Sequence, residues 1–149
     1  MTQATFSESD YRDQSDFRTA LRTFLRYAEE QSRQLGITPQ QHLVLVVTRG
    51  HRDYPRVAIG DLARALQLRQ SSTSLLVDRC VKRGLLHREE DPRDRRRVMV
   101  WLTDEGQTLL DRITLANRKE MGSLEESLFR GSLVDAVQAY RTQTTSRTA

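Results

Sequence analysis

Two adjoining stretches in the middle of the chain decide its fold. Residues 68–86 read LRQSSTSLLVDRCVKRGLL, and residues 87–103 continue HREEDPRDRRRVMVWLT. The first stretch has a polar start, apolar residues at helical spacing, and Gly84, a typical helix stop. From the end of the first stretch onward, runs at 85–90 and 97–102 have strand character. They flank a connection that contains Pro92 and Asp94. The pattern predicts a polar-fronted helix followed by a β-hairpin with an arginine-rich tip.

The residues before this helix predict the rest of a helix-turn-helix. A short helix from about Ile59 to Leu66 precedes the turn, and the helix from Gln70 to Arg83 is the second member. Further upstream, Thr38 caps a helix that ends near Gly50. Because residues 43–47 are apolar on all sides of this helix, we expect it to be central and buried.

Both ends of the chain also predict helices. Tyr11 to about Leu35 carries one apolar face, and residues 1–10 are expected to form a frayed tail. After the hairpin, Thr103 caps a long helix that runs to about Phe129. A last helix covers about 132–142, and the remaining residues form a polar tail. The order is therefore helix, helix, helix-turn-helix, hairpin, long helix and short helix.

An excess of basic residues is confined to the middle third of the chain. Residues 49–97 hold 13 Lys or Arg and 7 Asp or Glu, a net charge of +6, whereas residues 1–48 and 98–149 each sum to −1. Such a concentration is the electrostatic footprint of a nucleic-acid-binding module. A solvated basic face is the alternative, and charge alone does not separate the two interpretations.

Composition and motifs exclude several classes of protein. One cysteine cannot form an internal disulfide, and no Cys/His cluster has zinc spacing. The longest apolar run, residues 43–47, is too short for a membrane span, and no signal peptide is apparent, so we expect a cytoplasmic protein. We find no nucleophile triad, phosphate-binding glycine loop or pair of catalytic acids. We therefore expect no enzyme, no cofactor and no metal.

The same residues resemble the MarR family of bacterial transcription regulators (multiple-antibiotic-resistance regulator). The resemblance covers about residues 17–140, and its most specific motifs are LVDR at 76–79, RGL at 83–85, DPRDRR at 91–96 and the residues Val98, Leu102, Thr103 and Gly106. It implies a single chain, 1–149, that is mainly α with a small β-hairpin wing. A winged helix-turn-helix DNA-binding lobe would cover 38–103. Helices from both chain ends, 11–36 and 104–142, would form a dimerisation lobe.

The resemblance also implies a function. The chain would be a homodimeric, sequence-specific regulator of transcription, most often a repressor, that binds a pseudo-palindromic operator in double-stranded DNA. The recognition helix would enter the major groove and a wing arginine the minor groove. Many relatives are released by a small aromatic effector. The alternatives are a cysteine-based redox-responsive regulator, and a winged-helix protein-interaction module that does not bind DNA.

The resemblance carries DNA contacts onto two groups of residues. The recognition helix contributes Arg69, Gln70, Ser71, Ser72, Ser74 and Arg79, and the wing contributes Arg93, Asp94, Arg95, Arg96 and Arg97. We expect Asp94 to orient Arg96 for insertion into a narrow minor groove. Ser71 and Ser72 could instead cap the helix, Arg79 could pair within the domain, and the wing could be a solvated loop with nearly balanced charges.

Five further residues carry separate hypotheses. Leu75 departs from the polar or basic residue of many relatives, which removes one base contact. Cys80 falls on the inward face of the recognition helix, so we expect a buried and inert thiol. Tyr27, His42 and Trp101 are candidates for an effector pocket, and ordinary packing is the alternative for each of them.

Overall fold

The computed structural model describes residues 6–128, so the predicted helix at 132–142 and the polar tail lie outside the described residues. The elements are α1 (Glu8–Gln34), α2 (Pro39–Arg49), β1 (Val57–Ala58), α3 (Ile59–Leu66), α4 (Gln70–Lys82), β2 (Leu86–Asp91), β3 (Asp94–Leu102) and α5 (Asp104–Leu128). This mainly helical fold with a small antiparallel sheet is the predicted class. Within residues 6–128, no helix is long and apolar enough to cross a membrane.

The chain divides into two compact units. One unit is Ala28–Ala116, and the other consists of Met1–Tyr27 and Asn117–Ala149, of which residues 6–27 and 117–128 are described. Buried side chains from α2, α3, α4, the sheet and α5 form the core of the first unit. Because Leu110 and Ile113 of α5 belong to this core, the unit extends beyond the predicted range 38–103. The division into a DNA-binding lobe and a dimerisation lobe stays a prediction.

The helix-turn-helix lies where the sequence predicts it. α3 ends at Leu66, Gln67 adopts a left-handed conformation with φ 56°, and α4 begins at Gln70. Gly84 follows α4 with φ 72°, a conformation that favours glycine at a helix end. The buried residues Thr73, Val77 and Cys80 define the inward face of α4. The opposite face of this helix is therefore available to solvent.

The prediction for α2 is correct at its ends and wrong for its burial. The Thr38 hydroxyl accepts a hydrogen bond from the backbone N–H of Gln41, whose side chain accepts one from the backbone N–H of Thr38, a complete capping box. Val44 and Leu45 are fully buried, but Leu43 and Val46 are 49% and 41% exposed. One face of α2 packs into the core. Because five consecutive residues of a helix point in all directions around its axis, some of the apolar side chains at 43–47 remain exposed.

The wing is a three-stranded antiparallel sheet in the order β1-β3-β2. Val57 pairs with Val100, and Leu86 pairs with Leu102. The sequence did not predict β1, because two residues show no periodicity. β3 begins at Asp94, three residues before its predicted start, so Asp94 belongs to a strand and the turn shortens to two residues, Pro92 and Arg93.

α1 begins three residues earlier than predicted because Ser7 caps it. The Ser7 hydroxyl accepts a hydrogen bond from the backbone N–H of Asp10, whose carboxylate accepts the Ser7 backbone N–H at 2.7 Å. This reciprocal pair is a capping box with Asp in place of Glu. These Ser7 hydrogen bonds hold the pKa of Asp10 below its usual value. Residues 8–10 are therefore helical and not part of a frayed tail.

α5 begins at the predicted cap. The Thr103 hydroxyl accepts a hydrogen bond from the backbone N–H of Gly106 at 2.9 Å and donates one to the Gly84 carbonyl at 2.6 Å. The Thr103 backbone N–H also donates to the Leu85 carbonyl at 3.1 Å. The first turn of α5 is thus seated on the backbone that joins α4 to β2, which fixes the base of the wing.

Candidate nucleic-acid interface

The front of α4 presents four exposed polar side chains. Arg69 is the N-cap residue, and its carbonyl accepts the backbone N–H of Thr73 at 3.0 Å and the Thr73 hydroxyl at 3.1 Å. Gln70, Ser71 and Ser72 follow in the first turn and are exposed. The N-cap makes no side-chain hydrogen bond, and neither the Ser71 hydroxyl nor the Ser72 hydroxyl has a hydrogen-bond partner within residues 6–128. The capping alternative for these serines is therefore not what the structure contains.

Ser74 differs from the other predicted helix contacts because it is already engaged. It is half-buried, and its hydroxyl accepts a hydrogen bond from Arg88 Nη1 at 3.0 Å. The same Arg88 nitrogen pairs with the carboxylate of Asp78, one turn further along α4. Arg88 belongs to β2 and ties that strand to the recognition helix. Asp78 thus pairs with Arg88, and the neighbouring Arg79 is exposed and forms no ion pair within the described residues.

Sequence reasoning did not single out Arg88. The available signal was the spacing of Ser74 and Asp78, which at i and i+4 lie on one face of a helix. That face lies toward β2, but only the paired strands establish which basic residue of the hairpin meets it.

The wing tip holds one arginine in a defined orientation. Asp94 Oδ1 accepts the backbone N–H of Arg96 at 3.1 Å and its side-chain Nε at 3.2 Å, yet the Arg96 side chain is 92% exposed. The Arg96 hydrogen bonds, together with the charge of Arg97, hold the pKa of Asp94 below its usual value. The structure thus contains the Asp94–Arg96 contact that the sequence predicts. The use of Arg96 in a minor groove stays a prediction.

Among the other wing residues, two acids have defined partners and three arginines form no ion pair. The Asp91 carboxylate accepts the backbone N–H of Arg93 at 2.9 Å, and Glu89 pairs with Arg56 at 3.4 Å. Within residues 6–128, the wing arginines that form no ion pair are Arg93, Arg95 and Arg97, and all three are exposed. The acids and arginines of the wing are thus nearly equal in number, but these three arginines do not form ion pairs with the acids.

An open cleft of about 380 Å³ brings residues of the helix and the wing together. Its lining comes from the start of α3, the start of α4 and β3, and consists of Ala58, Ile59, Gly60, Asp61, Arg64, Gln70, Arg96, Arg97 and Val98. Three predicted contacts, Gln70, Arg96 and Arg97, share this cleft. Arg64, which pairs with Asp61, is an addition that the sequence gave no reason to select.

None of the three candidates for an effector pocket belongs to the lining of this cleft. Tyr27 is half-buried in α1, and His42 is half-buried in α2, where burial lowers its pKa and favours the neutral imidazole. Trp101 is half-buried in β3 between the ring of His87, at 5.3 Å, and the guanidinium of Arg56, at 4.7 Å. Packing accounts for Trp101, and an effector role for each of the three stays a prediction.

Cys80 is fully buried in the core of the first unit, as predicted. Burial raises the pKa of its thiol to about 11, which suppresses the reactive thiolate. Within residues 6–128, no group of three or more His, Cys, Asp or Glu residues is arranged to hold a metal ion.

Comparison with known proteins identifies relatives of this surface. Residues 35–97 match the model of the MarR family. The HTH-type transcriptional repressor MdtR of Bacillus subtilis strain 168 is 31% identical over 84 residues, which are 56% of this chain and 52% of MdtR. The transcriptional regulator HosA of Escherichia coli O111:H- is 35% identical over 74 residues, 50% of this chain and 53% of HosA. The chain thus spans about half the length of these curated relatives.

Solved structures match over nearly the whole chain. A mutant of MepR from S. aureus, bound to an oligodeoxyribonucleotide, is 25% identical with a TM-score of 0.62 and covers 97% of this chain and 100% of its own. Wild-type MarR from E. coli, in its apo form, is 20% identical with a TM-score of 0.64 and covers 95% of this chain and 98% of its own. At 20% identity, the similarity to MarR shows a shared fold. The relatives named here as transcriptional regulators agree with the expectation that the chain is not an enzyme. The MarR family model thus matches across the winged helix, and MarR itself has the same fold, so this part of the chain resembles the winged helix of MarR-family regulators.

Proposed function

We propose that this chain regulates transcription by binding double-stranded DNA in a sequence-specific manner. The observation that carries the proposal is the shared cleft of Gln70, Arg96 and Arg97, which joins the start of α4 to the wing in one exposed basic surface. A helix fits the major groove of B-DNA, and an arginine from an adjoining wing can reach the narrower minor groove beside it. The MepR relative bound to an oligodeoxyribonucleotide supports the same mode of action.

The two parts of this surface would have different tasks. Gln70 and Arg69 carry the groups that pair in two hydrogen bonds with adenine and guanine, respectively. Arg96 uses its Nε on Asp94, so both of its terminal nitrogens stay available as donors while the side chain is held in place. A guanidinium oriented in advance loses less freedom on entering a narrow groove, where the potential is most negative. Arg93, Arg95 and Arg97 would neutralise nearby phosphates.

We further propose that the protein acts as a homodimeric repressor on a pseudo-palindromic operator. The support lies in α1, where Tyr11, Leu21 and Leu25 of the unit formed by the chain ends are 61%, 38% and 47% exposed. A helix of this length with an uncovered apolar face is suited to packing against a second chain. MdtR, a relative of this chain, is named as a repressor. Two-fold symmetry would place the half-sites about one helical turn apart.

We also propose that a small aromatic effector releases the protein from its operator. His42 is neutral at physiological pH because burial lowers its pKa, so it would offer a hydrogen bond and not a charge to such a molecule. The test is a titration of the protein–operator complex with small aromatic acids and phenols. Release by none of them would remove the effector from the proposal and leave the DNA-binding function intact.

The experiment that tests DNA binding begins with selection of bound sequences from a random pool of duplexes. The affinity of the selected operator is then measured by fluorescence anisotropy for the wild type, Arg96→Ala, Arg96→Lys and Arg112→Ala. Arg112 is an exposed arginine of α5 outside the basic middle third and serves as the control for loss of one positive charge. We expect Arg96→Ala to weaken binding about tenfold or more, the effect of one good groove contact. Arg112→Ala should stay within about twofold of the wild type, because a distant exposed charge is screened by salt.

Arg96→Lys separates groove insertion from simple phosphate neutralisation. Lysine keeps the charge but lacks the planar, weakly hydrated guanidinium that suits a narrow groove, so its affinity should fall nearly as far as that of alanine. Wild-type affinity for Arg96→Ala would overturn the wing assignment. Failure to enrich any sequence, with binding that has no steep salt dependence, would instead favour a protein-interaction module.

A further inference from the structure

A line of outward-facing residues runs along α4. Ser71, Leu75 and Arg79 are spaced four residues apart, so they lie one above another on the face opposite the buried residues of this helix. All three are exposed, and Leu75, in the middle, is 62% exposed. Ser72, which follows Ser71 and lies three residues before Leu75, is exposed as well. A large apolar side chain therefore stands at the centre of the polar surface that the proposed function directs into the major groove.

A single exposed leucine does not by itself need an explanation. This one is distinguished by its neighbours. One turn before it the side chains are two serines, which are too short to cover it, and one turn after it comes an unpaired arginine. In a helix that lies in the major groove, a residue at this position faces the edges of the bases, and an apolar group there must meet something apolar or lose solvation energy from the polar edges beside it.

We propose that Leu75 is a specificity-determining residue that contacts the 5-methyl group of thymine in each operator half-site. The inference rests on the proposed DNA-binding function. Thymine is the base that presents an apolar group in the major groove, whereas the other base edges there offer hydrogen-bond donors and acceptors. A leucine pressed against the amino group of cytosine would bury that donor without a partner, which costs free energy. Leu75 thus selects the base at one position of the half-site, because it favours thymine and disfavours cytosine there.

The surroundings favour DNA over a protein partner as the occupant of this face. Leu75 stands alone among serines and arginines, and a lone leucine is far smaller than the apolar patch of several hundred Å² typical of a protein-binding surface. The adjoining charged residues without ion pairs in the described part of the chain, Arg69 and Arg79, are both positive. This surface therefore complements a polyanion that carries isolated methyl groups.

The test removes the methyl group from the DNA and the leucine from the protein. In the operator selected with the wild type, each thymine of the half-site is replaced in turn by deoxyuridine, which lacks the methyl group and keeps every hydrogen-bonding group. For the wild type, we expect one position at which the affinity falls about fourfold per half-site, the equivalent of one buried methyl group at about 0.8 kcal/mol. For Leu75→Ala, that position should become insensitive to the replacement while the other positions behave as before. Leu68→Ala, which truncates another exposed leucine beside α4, is the matched control and should keep the wild-type profile.

The possible outcomes separate the inference from the function on which it rests. If the wild type binds its operator with a steep salt dependence but no thymine is sensitive, or if Leu75→Ala keeps the sensitive position, the role of Leu75 is overturned and DNA binding stands. If neither variant nor wild type binds any duplex, the proposed function fails and the inference fails with it. Circular dichroism of each variant establishes that the helices are intact before the affinities are compared.

Discussion

Replacing Gly106 by alanine should lower the free energy of unfolding more than an ordinary substitution within a helix does, because it disturbs the base of the wing. A Cβ atom at Gly106 would lie 2.9 Å from the carbonyl carbon of Leu85 and closer still to the carbonyl oxygen. These are backbone atoms, and they are held by a hydrogen bond from the Leu85 N–H to the Cys80 carbonyl at 2.9 Å and by the burial of the Leu85 side chain. No flexible side chain can move away, so the start of α5 must shift as a whole.

The expected magnitude follows from three opposing effects. Alanine is favoured over glycine within a helix by about 1 kcal/mol. Overpacking a close contact costs about 1–3 kcal/mol, and more where backbone must move. A shift of α5 would also weaken the hydrogen bonds that Thr103 makes with Gly84, Leu85 and Gly106, each worth about 1 kcal/mol. The net expectation is a loss of about 2–4 kcal/mol in the free energy of unfolding.

Gly122 provides a matched control in the same helix. A Cβ atom there meets nothing within 4 Å in the described part of the chain, so Gly122→Ala should gain up to about 1 kcal/mol in the free energy of unfolding from helix propensity alone. Both variants are unfolded in urea and followed by circular dichroism at one fixed protein concentration, because dimerisation would make stability depend on concentration. A Gly106→Ala protein as stable as the wild type would refute the close approach of α5 to the backbone at Leu85.

Two further predictions concern the thiol and the arginine that ties the wing to α4. At neutral pH, native Cys80 should react with Ellman's reagent on the order of 100-fold more slowly than in denaturant, because burial raises its pKa to about 11; rapid reaction of the native protein would revive the redox alternative. Arg88→Met should weaken operator binding without changing the slope of log K against log salt, since the charge of Arg88 is already paired with Asp78, whereas Arg97→Met should reduce that slope by about 0.9. Equal slopes for the two variants in a salt titration would contradict this assignment of the charges.

Local signals in the sequence predicted the helices whose ends carry a cap. Thr38, Gly84 and Thr103 act on residues three or four positions away, so their effect can be read from the sequence alone. Ser7 acts in the same way, but Asp10 is a less familiar partner than Glu, and the start of α1 was misplaced by three residues. The helix-turn-helix was accurate for the same reason, since α3 and α4 are bounded by local turn residues.

Features that depend on distant pairing were beyond the sequence. β1 has two residues and exists because Val57 and Ala58 pair with β3, some forty residues away. Arg88 was overlooked because its partners lie on α4, and the exposure of Leu43 and Val46 depends on which face of α2 the other elements cover. Periodicity specifies that a helix has a buried face, but not how wide that face is once the neighbours are in place.

The charges of the wing show why residue counts alone do not describe its tip. In the sequence, four acids nearly balance the arginines of the hairpin, which leaves a solvated loop as the alternative to the predicted insertion of Arg96. In the structure, three of these four acids are engaged with particular partners. Glu89 pairs with Arg56, which lies outside the hairpin, Asp91 accepts a backbone N–H, and Asp94 orients Arg96. Because these acids are engaged in holding the wing in its conformation, the other exposed arginines of the tip remain available to contact phosphates. A locally balanced composition therefore produces an oriented positive tip, which supplies both the aim of Arg96 and the charge around it.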